Sequence, residues 1–134
     1  MIVLDASVAV KWFLDERGSA QARDLRNQYR DGSVELAAPD LLVYEVTNAL
    51  VCQRVYDPEA VDSAVETLLS LDLILSQPQL DLMSRAAAIA REVNGAVYDA
   101  AYVALAEMME GVLATADRRQ AAIAAEWVEV KLIG

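Results

Sequence analysis

Short apolar runs alternate along this chain with longer segments in which apolar residues recur every three or four positions. A short run of Ile, Val and Leu is typical of a buried strand in a parallel sheet, whereas the longer spacing is typical of a helix that buries one face. The pattern predicts strands at 1–4, 34–38, 71–75, 112–114 and 127–133, and helices at 8–14, 19–29, 41–51, 58–70, 80–93, 98–110 and 118–125. Asp40 and Asp57 are expected to cap the helices at 41–51 and 58–70. Because strands and helices alternate, we expect an α/β sandwich around a mainly parallel sheet.

The composition predicts one folded domain over residues 1–134. Of the 134 residues, 56% are hydrophobic, which is enough for a core and too much for a disordered protein. No uncharged apolar segment reaches the roughly 18–20 residues that cross a bilayer, and the opening segment lacks the pattern of a signal peptide. The single Cys52 is expected to be a small core residue in a reducing compartment. We therefore expect a cytoplasmic protein without a membrane segment.

The net charge and the absence of His limit the kinds of ligand that the chain can bind. The net charge is −10 and the chain contains no His. An acidic surface argues against extended, non-specific nucleic-acid binding, but it is compatible with acids that metal ions neutralise or with a basic partner. Without His, any bound metal would be a hard cation held by oxygen atoms. Arg23, Arg26 and Arg30 share one helix face, either as a solvated surface or as a stripe that steers phosphates.

Four acids stand out by their positions. Asp5 and Asp117 each follow a short strand, and α/β proteins place their sites at the carboxyl ends of parallel strands. Glu45 falls inside the apolar stripe of the helix at 41–51, where an unpaired carboxylate is costly. Asp99 lies in the first turn of an Ala-rich helix, where the helix dipole favours an anion. Gathered around one pocket, these carboxylates would suit Mg²⁺ or Mn²⁺, which can activate water to attack a phosphodiester.

Each acid also has a purely structural alternative. Asp5 and Asp117 could cap the helices that follow them. Asp99 could do no more than complement the dipole of its helix, and Glu45 could pair with a buried Arg.

Four segments resemble the signature blocks of PIN-domain proteins, and most of all those of VapC-type toxins from prokaryotic toxin–antitoxin pairs. The segments stand in the family's order and at its spacing over nearly the whole chain. They are LDASVAVKWF at 4–13, YEVTNAL at 44–50, YDAAYVALA at 98–106 and LATADR at 113–118. The resemblance implies a PIN-like three-layer α/β/α sandwich. It also implies a metal-dependent endoribonuclease that hydrolyses RNA phosphodiester bonds as the toxin of a type II pair.

The resemblance implies roles for individual residues as well. The implied catalytic and metal-binding residues, for Mg²⁺ or Mn²⁺, are Asp5, Glu45, Asp99 and Asp117. The residues implied to orient a carboxylate or a metal-bound water, with local capping as the alternative for the hydroxyls, are Ser7, Asn48 and Thr115. The candidate contacts to the RNA substrate are Lys11, Arg118 and Arg119. The implied protein partners are a second copy of the chain and a cognate antitoxin whose tail blocks the acidic pocket.

Two other classes of function compete with this hypothesis. The first is a catalytically silent PIN-fold module that only binds partners. One departure from the family pattern bears on catalysis: some family members carry one more acid just after the position of Asp117, where this chain has Arg118. This difference counts against a second metal site. The second class is a phosphoacceptor receiver domain, which needs an acceptor Asp at the end of a central strand. Asp72 instead begins a predicted strand and Asp81 lies in a predicted helix, so the receiver is disfavoured.

Overall fold

Five parallel strands form the central sheet of the computed structural model, which describes residues 1–134. The strands, in the spatial order β3-β2-β1-β4-β5, are β1 (Ile2–Leu4), β2 (Leu36–Pro39), β3 (Ile74–Ser76), β4 (Val112–Thr115) and β5 (Glu129–Leu132). The helices are α1 (Ala6–Ala9), α2 (Ser19–Arg30), α3 (Leu41–Val51), α4 (Pro58–Ser70), α5 (Leu80–Val93), α6 (Val97–Met108) and α7 (Arg118–Ala124). The predicted α/β fold with a parallel sheet is confirmed.

The helices cover both faces of the sheet. Right-handed crossovers between parallel strands place α1 to α4 on one face and α5 to α7 on the other, because the chain reverses its direction across the sheet after β3. The packing agrees with this arrangement, since α1 contacts α2 and α3, α3 contacts α4, and α5 lies against α6. The result is a three-layer sandwich, and its core contains 30 buried apolar residues.

Strand β1 lies at the centre of the sheet and positions the ends of its neighbours. It pairs with β2 on one side and β4 on the other, with Leu4 opposite Ala114. The strand order changes direction between β1 and β4, and such a switch point is where open α/β sheets bind their ligands. Asp5 and Asp117 both follow strands that end at this edge of the sheet.

The first predicted helix, at 8–14, has a different form in the structure. It is a single α-helical turn at α1 followed by a 3₁₀ turn at Val10–Trp12. The third predicted strand also shifts, because α4 continues to Ser70 and Asp72 adopts a left-handed backbone with φ of 55°. The strand can begin only after this turn, so β3 starts at Ile74 instead of residue 71.

Helix ends agree in part with the sequence analysis. Asp57 caps α4 as predicted, since its carboxylate accepts the Ala60 N–H at 2.8 Å. The predicted cap of α3 by Asp40 is wrong, because the Asp40 backbone is already helical and its side chain makes no capping bond. The expectation of a buried Cys52 is also wrong. Helix α3 ends at Val51, and Cys52 is exposed just beyond it. None of the helices combines the length and the apolar character needed to span a membrane.

Candidate functional site

Asp5 is the buried centre of a polar cluster at the carboxyl edge of the sheet. The residue is 8% exposed, and its Oδ2 accepts two hydroxyl hydrogen bonds, from Ser7 at 2.6 Å and from Thr115 at 2.7 Å. Its side chain makes no capping bond to α1, so the structural alternative for Asp5 is wrong. Ser7 and Thr115 therefore both contact the Asp5 carboxylate.

Backbone groups fix the direction of these hydroxyls. Ser7 Oγ accepts the N–H of Ala116 at 2.9 Å, and Thr115 Oγ1 accepts the N–H of Asp117 at 3.1 Å. Since each oxygen already accepts an N–H, each hydroxyl proton is free to point at Asp5. The loop between β4 and α7 is thereby fastened to the carboxylate of Asp5. The second oxygen of that carboxylate, Oδ1, accepts no hydrogen bond and is not sealed from solvent.

Glu45 lies on α3, half-buried, and its partner comes from the opposite helical layer. Tyr102 of α6 donates its hydroxyl to Glu45 Oε1 at 2.6 Å. Burial and the Glu45 carboxylate raise the pKa of the Tyr102 phenol well above its usual value, so that the phenol stays a donor. The alternative for Glu45, a pair with a buried Arg, is therefore wrong. The carboxylate instead accepts the phenol hydroxyl through Oε1, and its other oxygen accepts no hydrogen bond.

Asp99 and Asp117 are exposed at the rim of the cluster. Asp99 lies in the first turn of α6, and its backbone oxygen accepts the Gln120 side-chain amide at 2.8 Å. Asp117 caps α7 through Oδ1, which accepts the N–H groups of Arg119 at 2.9 Å and Gln120 at 3.2 Å. The capping alternative for Asp117 is thus realised, and its Oδ2 accepts no bond. Gln120 is buried and joins the first turns of α6 and α7.

Electrostatics connect the four acids. Burial raises the pKa of the Asp5 carboxyl above its usual value, the Ser7 and Thr115 hydroxyls lower it, and the charges of Asp99 and Asp117 raise it further. Burial likewise raises the pKa of Glu45, the Tyr102 hydroxyl opposes that rise, and the charges of Asp5 and Asp99 add to it. The acids therefore share one neighbourhood in which negative charge accumulates, and a cation would relieve this repulsion.

The donor set is chemically suited to a hard divalent cation, because every candidate ligand is a carboxylate oxygen and the chain has no His. The Asp5 Oδ1 atom is the best-placed ligand, since the rest of its side chain is fixed and this oxygen is free. The carboxylates do not form a closed metal-binding group, however, as no three acids converge on one point. Like charges repel, and one oxygen of Asp117 is committed to its helix cap.

The candidate RNA contacts divide into two kinds. Arg118 and Arg119 are exposed directly after Asp117 and form no salt bridge, so that they are free to meet an anion. Lys11 differs, because it is buried and its ammonium bonds to Glu16 at 3.0 Å and to the backbone oxygen of Arg17 at 2.5 Å. The Lys11 ammonium is therefore already bonded within the protein and is not free to contact a substrate.

Two further sequence-based candidates have mixed outcomes. Asn48 is exposed one turn beyond Glu45, and its amide makes no hydrogen bond to the Glu45 carboxylate. Within the Arg stripe of α2, Arg23 already forms a salt bridge with Asp15 at 3.2 Å. Arg26 keeps a buried Nε atom without a hydrogen-bond partner.

An apolar groove of about 240 Å³ lies beside the acids, between the starts of α3 and α6. Tyr44 and Tyr98, which line it, are 75% and 65% exposed and directly precede Glu45 and Asp99. Exposed aromatic residues clustered in this way are typical of an interaction surface.

Sequence reasoning missed two residues of the site, Tyr102 and Gln120. Tyr102 lies in a helix that is apolar nearly all round, where a Tyr looks like core bulk. Gln120 looks like an ordinary surface residue of a short helix. In both cases the only available signal was a polar group at a helix position that the fold buries.

Comparisons with known proteins agree with this geometry. A family model described as PIN domain matches residues 2–126. The protein named Ribonuclease VapC3 from Pyrobaculum aerophilum is 33% identical over 124 residues, which cover 90% of this chain and 92% of that relative. The crystal structure of PAE2754, also from Pyrobaculum aerophilum, matches with a TM-score of 0.68 at 25% identity and covers 96% of this chain and 87% of that one. A toxin–antitoxin complex from Klebsiella pneumoniae matches in fold, with a TM-score of 0.68 at 17% identity over 91% of each chain.

Proposed function

Because this chain belongs to the PIN-domain family, we propose that it is a Mg²⁺- or Mn²⁺-dependent endoribonuclease that acts as the toxin of a toxin–antitoxin pair. One observation carries the proposal: the buried Asp5 carboxylate, fixed through one oxygen and free at the other, shares its neighbourhood with three more acids at the switch point of the sheet. The name of the relative from Pyrobaculum aerophilum supports ribonuclease activity.

The acids, the hydroxyls and the arginines have different proposed roles. Asp5, Glu45, Asp99 and Asp117 would hold the cation, which supplies an activated water for attack on phosphorus and charge stabilisation for the leaving oxygen. Ser7 and Thr115 hold Asp5 Oδ2, so that the free Oδ1 keeps one direction. Arg118 and Arg119 would bind phosphate oxygens of the RNA on either side of the scissile bond, and so offset the acidity of the chain.

We also propose two protein partners. The Klebsiella pneumoniae structure is a toxin–antitoxin complex, which supports a cognate antitoxin for this chain. A basic antitoxin segment would be drawn to the acid cluster by charge. The apolar groove around Tyr44 and Tyr98 suits a second copy of the chain, and we propose that it is the surface of a homodimer. With RNA as its substrate, the protein would act in the cytoplasm.

The test of the proposed function is cleavage of a mixed RNA pool with Mg²⁺, Mn²⁺ or EDTA. The wild type is compared with Asp5→Asn and with Asp62→Asn, an exposed acid of α4 that serves as the matched control. We expect metal-dependent cleavage by the wild type and the control, and a loss of at least a hundredfold in Asp5→Asn. Equal cleavage by all three proteins would refute the site. Cation binding by calorimetry without any cleavage would favour the silent partner-binding module.

The two acids considered as receiver acceptors do not lie at the end of a central strand. Asp72 precedes β3 and is exposed, and Asp81 lies in the first turn of α5. Strand β3 is moreover an edge strand, whereas a receiver needs its acceptor at the end of a central strand.

A further inference from the structure

Tyr102 connects the two helical layers of the protein at the acid cluster. It belongs to α6, yet its hydroxyl reaches past the edge of the sheet to Glu45 of α3, at 2.6 Å. We propose that Tyr102 is a positioning residue that fixes the Glu45 carboxylate for cation binding. This inference rests on the proposed function, because it assumes that Glu45 is a ligand.

Glu45 needs such a partner. A Glu side chain has three rotatable bonds, and ordering it on binding costs conformational entropy. Glu45 forms no salt bridge, and Tyr102 is the only group that donates a hydrogen bond to it. The bond engages Oε1 and leaves Oε2 without a partner, so the phenol restricts the carboxylate while one oxygen stays available for a cation.

Tyr102 is well suited to hold another side chain still. It is 1% exposed, and the residues on both sides of it, from Ala100 to Ala106, are all buried. A tyrosine ring has few rotatable bonds, and here close packing fixes it. Tyr102 also lies one turn after Asp99 on the same helix, so the position of one acid is tied to that of another through α6.

The plain alternative is that Glu45 only satisfies a buried phenol. On that view the hydrogen bond serves the fold, and removing the hydroxyl would change stability without changing cation binding. The substitution Tyr102→Phe separates the two views, because it removes the hydroxyl and keeps the ring that fills the core.

The experiment measures Mn²⁺ binding by calorimetry in wild type, Tyr102→Phe and Tyr29→Phe. Tyr29→Phe is the matched control, since it removes a phenol that bonds to the backbone oxygens of Leu71 and Asp72, both at 2.9 Å, in the loop between α4 and β3. We expect the Mn²⁺ dissociation constant to rise about tenfold in Tyr102→Phe, which is the usual effect of losing a group that orients a ligand, and to stay unchanged in Tyr29→Phe. The Mn²⁺ concentration for half-maximal RNA cleavage should rise by the same factor, with a smaller change in kcat.

A double substitution distinguishes the positioning role from a general disturbance of the fold. In a Glu45→Ala protein the phenol has no carboxylate to hold, so adding Tyr102→Phe should leave the Mn²⁺ dissociation constant where it is. A tenfold loss that persists in this background, or wild-type affinity in Tyr102→Phe alone, would overturn the positioning role. If the wild type itself binds no Mn²⁺, the proposed function fails together with this inference. If the wild type binds and Tyr102→Phe binds equally well, the inference fails alone.

Discussion

The hydroxyl of Thr115 donates to Asp5 at 2.7 Å, although 110 positions separate the two residues in the sequence. The contact follows from the pairing of β1 with β4. Because Leu4 lies opposite Ala114, the residues that follow them, Asp5 and Thr115, are neighbours at the edge of the sheet. Asp5 also bonds through its backbone N–H to the Ala114 oxygen at 2.9 Å. The acid and the hydroxyl that holds it are therefore placed by the register of two neighbouring strands.

We expect Thr115→Val to lower the free energy of unfolding by about 1–3 kcal/mol. The substitution keeps the shape of the buried side chain, but it removes one hydrogen bond to Asp5 and leaves the N–H of Asp117 without its acceptor. Urea denaturation measures the loss. The control is Thr67→Val, whose hydroxyl bonds to the Ser63 oxygen on an exposed part of α4, and it should change stability far less.

Without added metal, Asp5→Asn should be more stable than wild type. Burial and neighbouring acids raise the pKa of the Asp5 carboxyl, which means that its charged form is less favourable in the folded protein than in the unfolded chain. A neutral amide removes this penalty at neutral pH. Thermal unfolding in EDTA tests the sign, and Asp62→Asn serves as the exposed control. A less stable Asp5→Asn protein would show that hydrogen bonding at this position outweighs the buried charge.

The ion pair of Arg85 and Glu107 should make stability depend on pH in the acidic range. The two side chains join α5 to α6 through bonds of 2.6 and 2.9 Å, and the hydrogen bond from Arg85 holds the pKa of Glu107 below its usual value. The stabilisation is therefore present above the unfolded pKa near 4.5 and is lost as the pH falls through the lower folded value. Because both groups are partly exposed, the effect is small. Denaturation of wild type and Glu107→Gln should differ at pH 7 and converge once the pH falls below the folded pKa of Glu107.

Replacement of Tyr44 by Arg should convert the proposed homodimer into a monomer. The substitution places a charge in the apolar groove, where a second copy of the chain would have to bury it. Sedimentation velocity reports the change. Val55→Arg is the matched control, since Val55 is 84% exposed in the loop after α3 and outside the groove. A wild type that is already monomeric, or a Tyr44→Arg dimer, would assign the groove to another partner.

The double substitution Arg118→Gln with Arg119→Gln should raise the KM for RNA roughly tenfold and leave kcat nearly unchanged. Two phosphate contacts contribute to binding in both ground and transition states, and their loss should also weaken the salt dependence of binding. Arg54→Gln, an exposed arginine in the loop after α3, is the control. A fall in kcat with constant KM would instead place these residues at the reacting phosphate.

The acids of the candidate site are easier to single out from the sequence than the groups that hold them. Asp5 and Asp117 are recognisable because each follows a strand, and a strand's end is visible in the pattern of apolar residues. The partnership of Tyr102 with Glu45 is not visible, because it spans 57 positions and depends on the order of strands in the sheet. The burial of Lys11 was missed for a related reason. The chain leaves α1 through a 3₁₀ turn, which turns this side chain toward Glu16.

The central place of β1 has a consequence for the synthesis of the protein. One neighbour of β1 is made soon after it, but the other, β4, begins only at Val112. A growing chain on the ribosome thus carries Asp5 early, without the hydroxyl of Thr115 or the carboxylate of Asp117. Pairing across such a long loop is slow and comes late. The acid cluster can therefore assemble only after β4 and Asp117 have left the ribosome, late in the synthesis of these 134 residues.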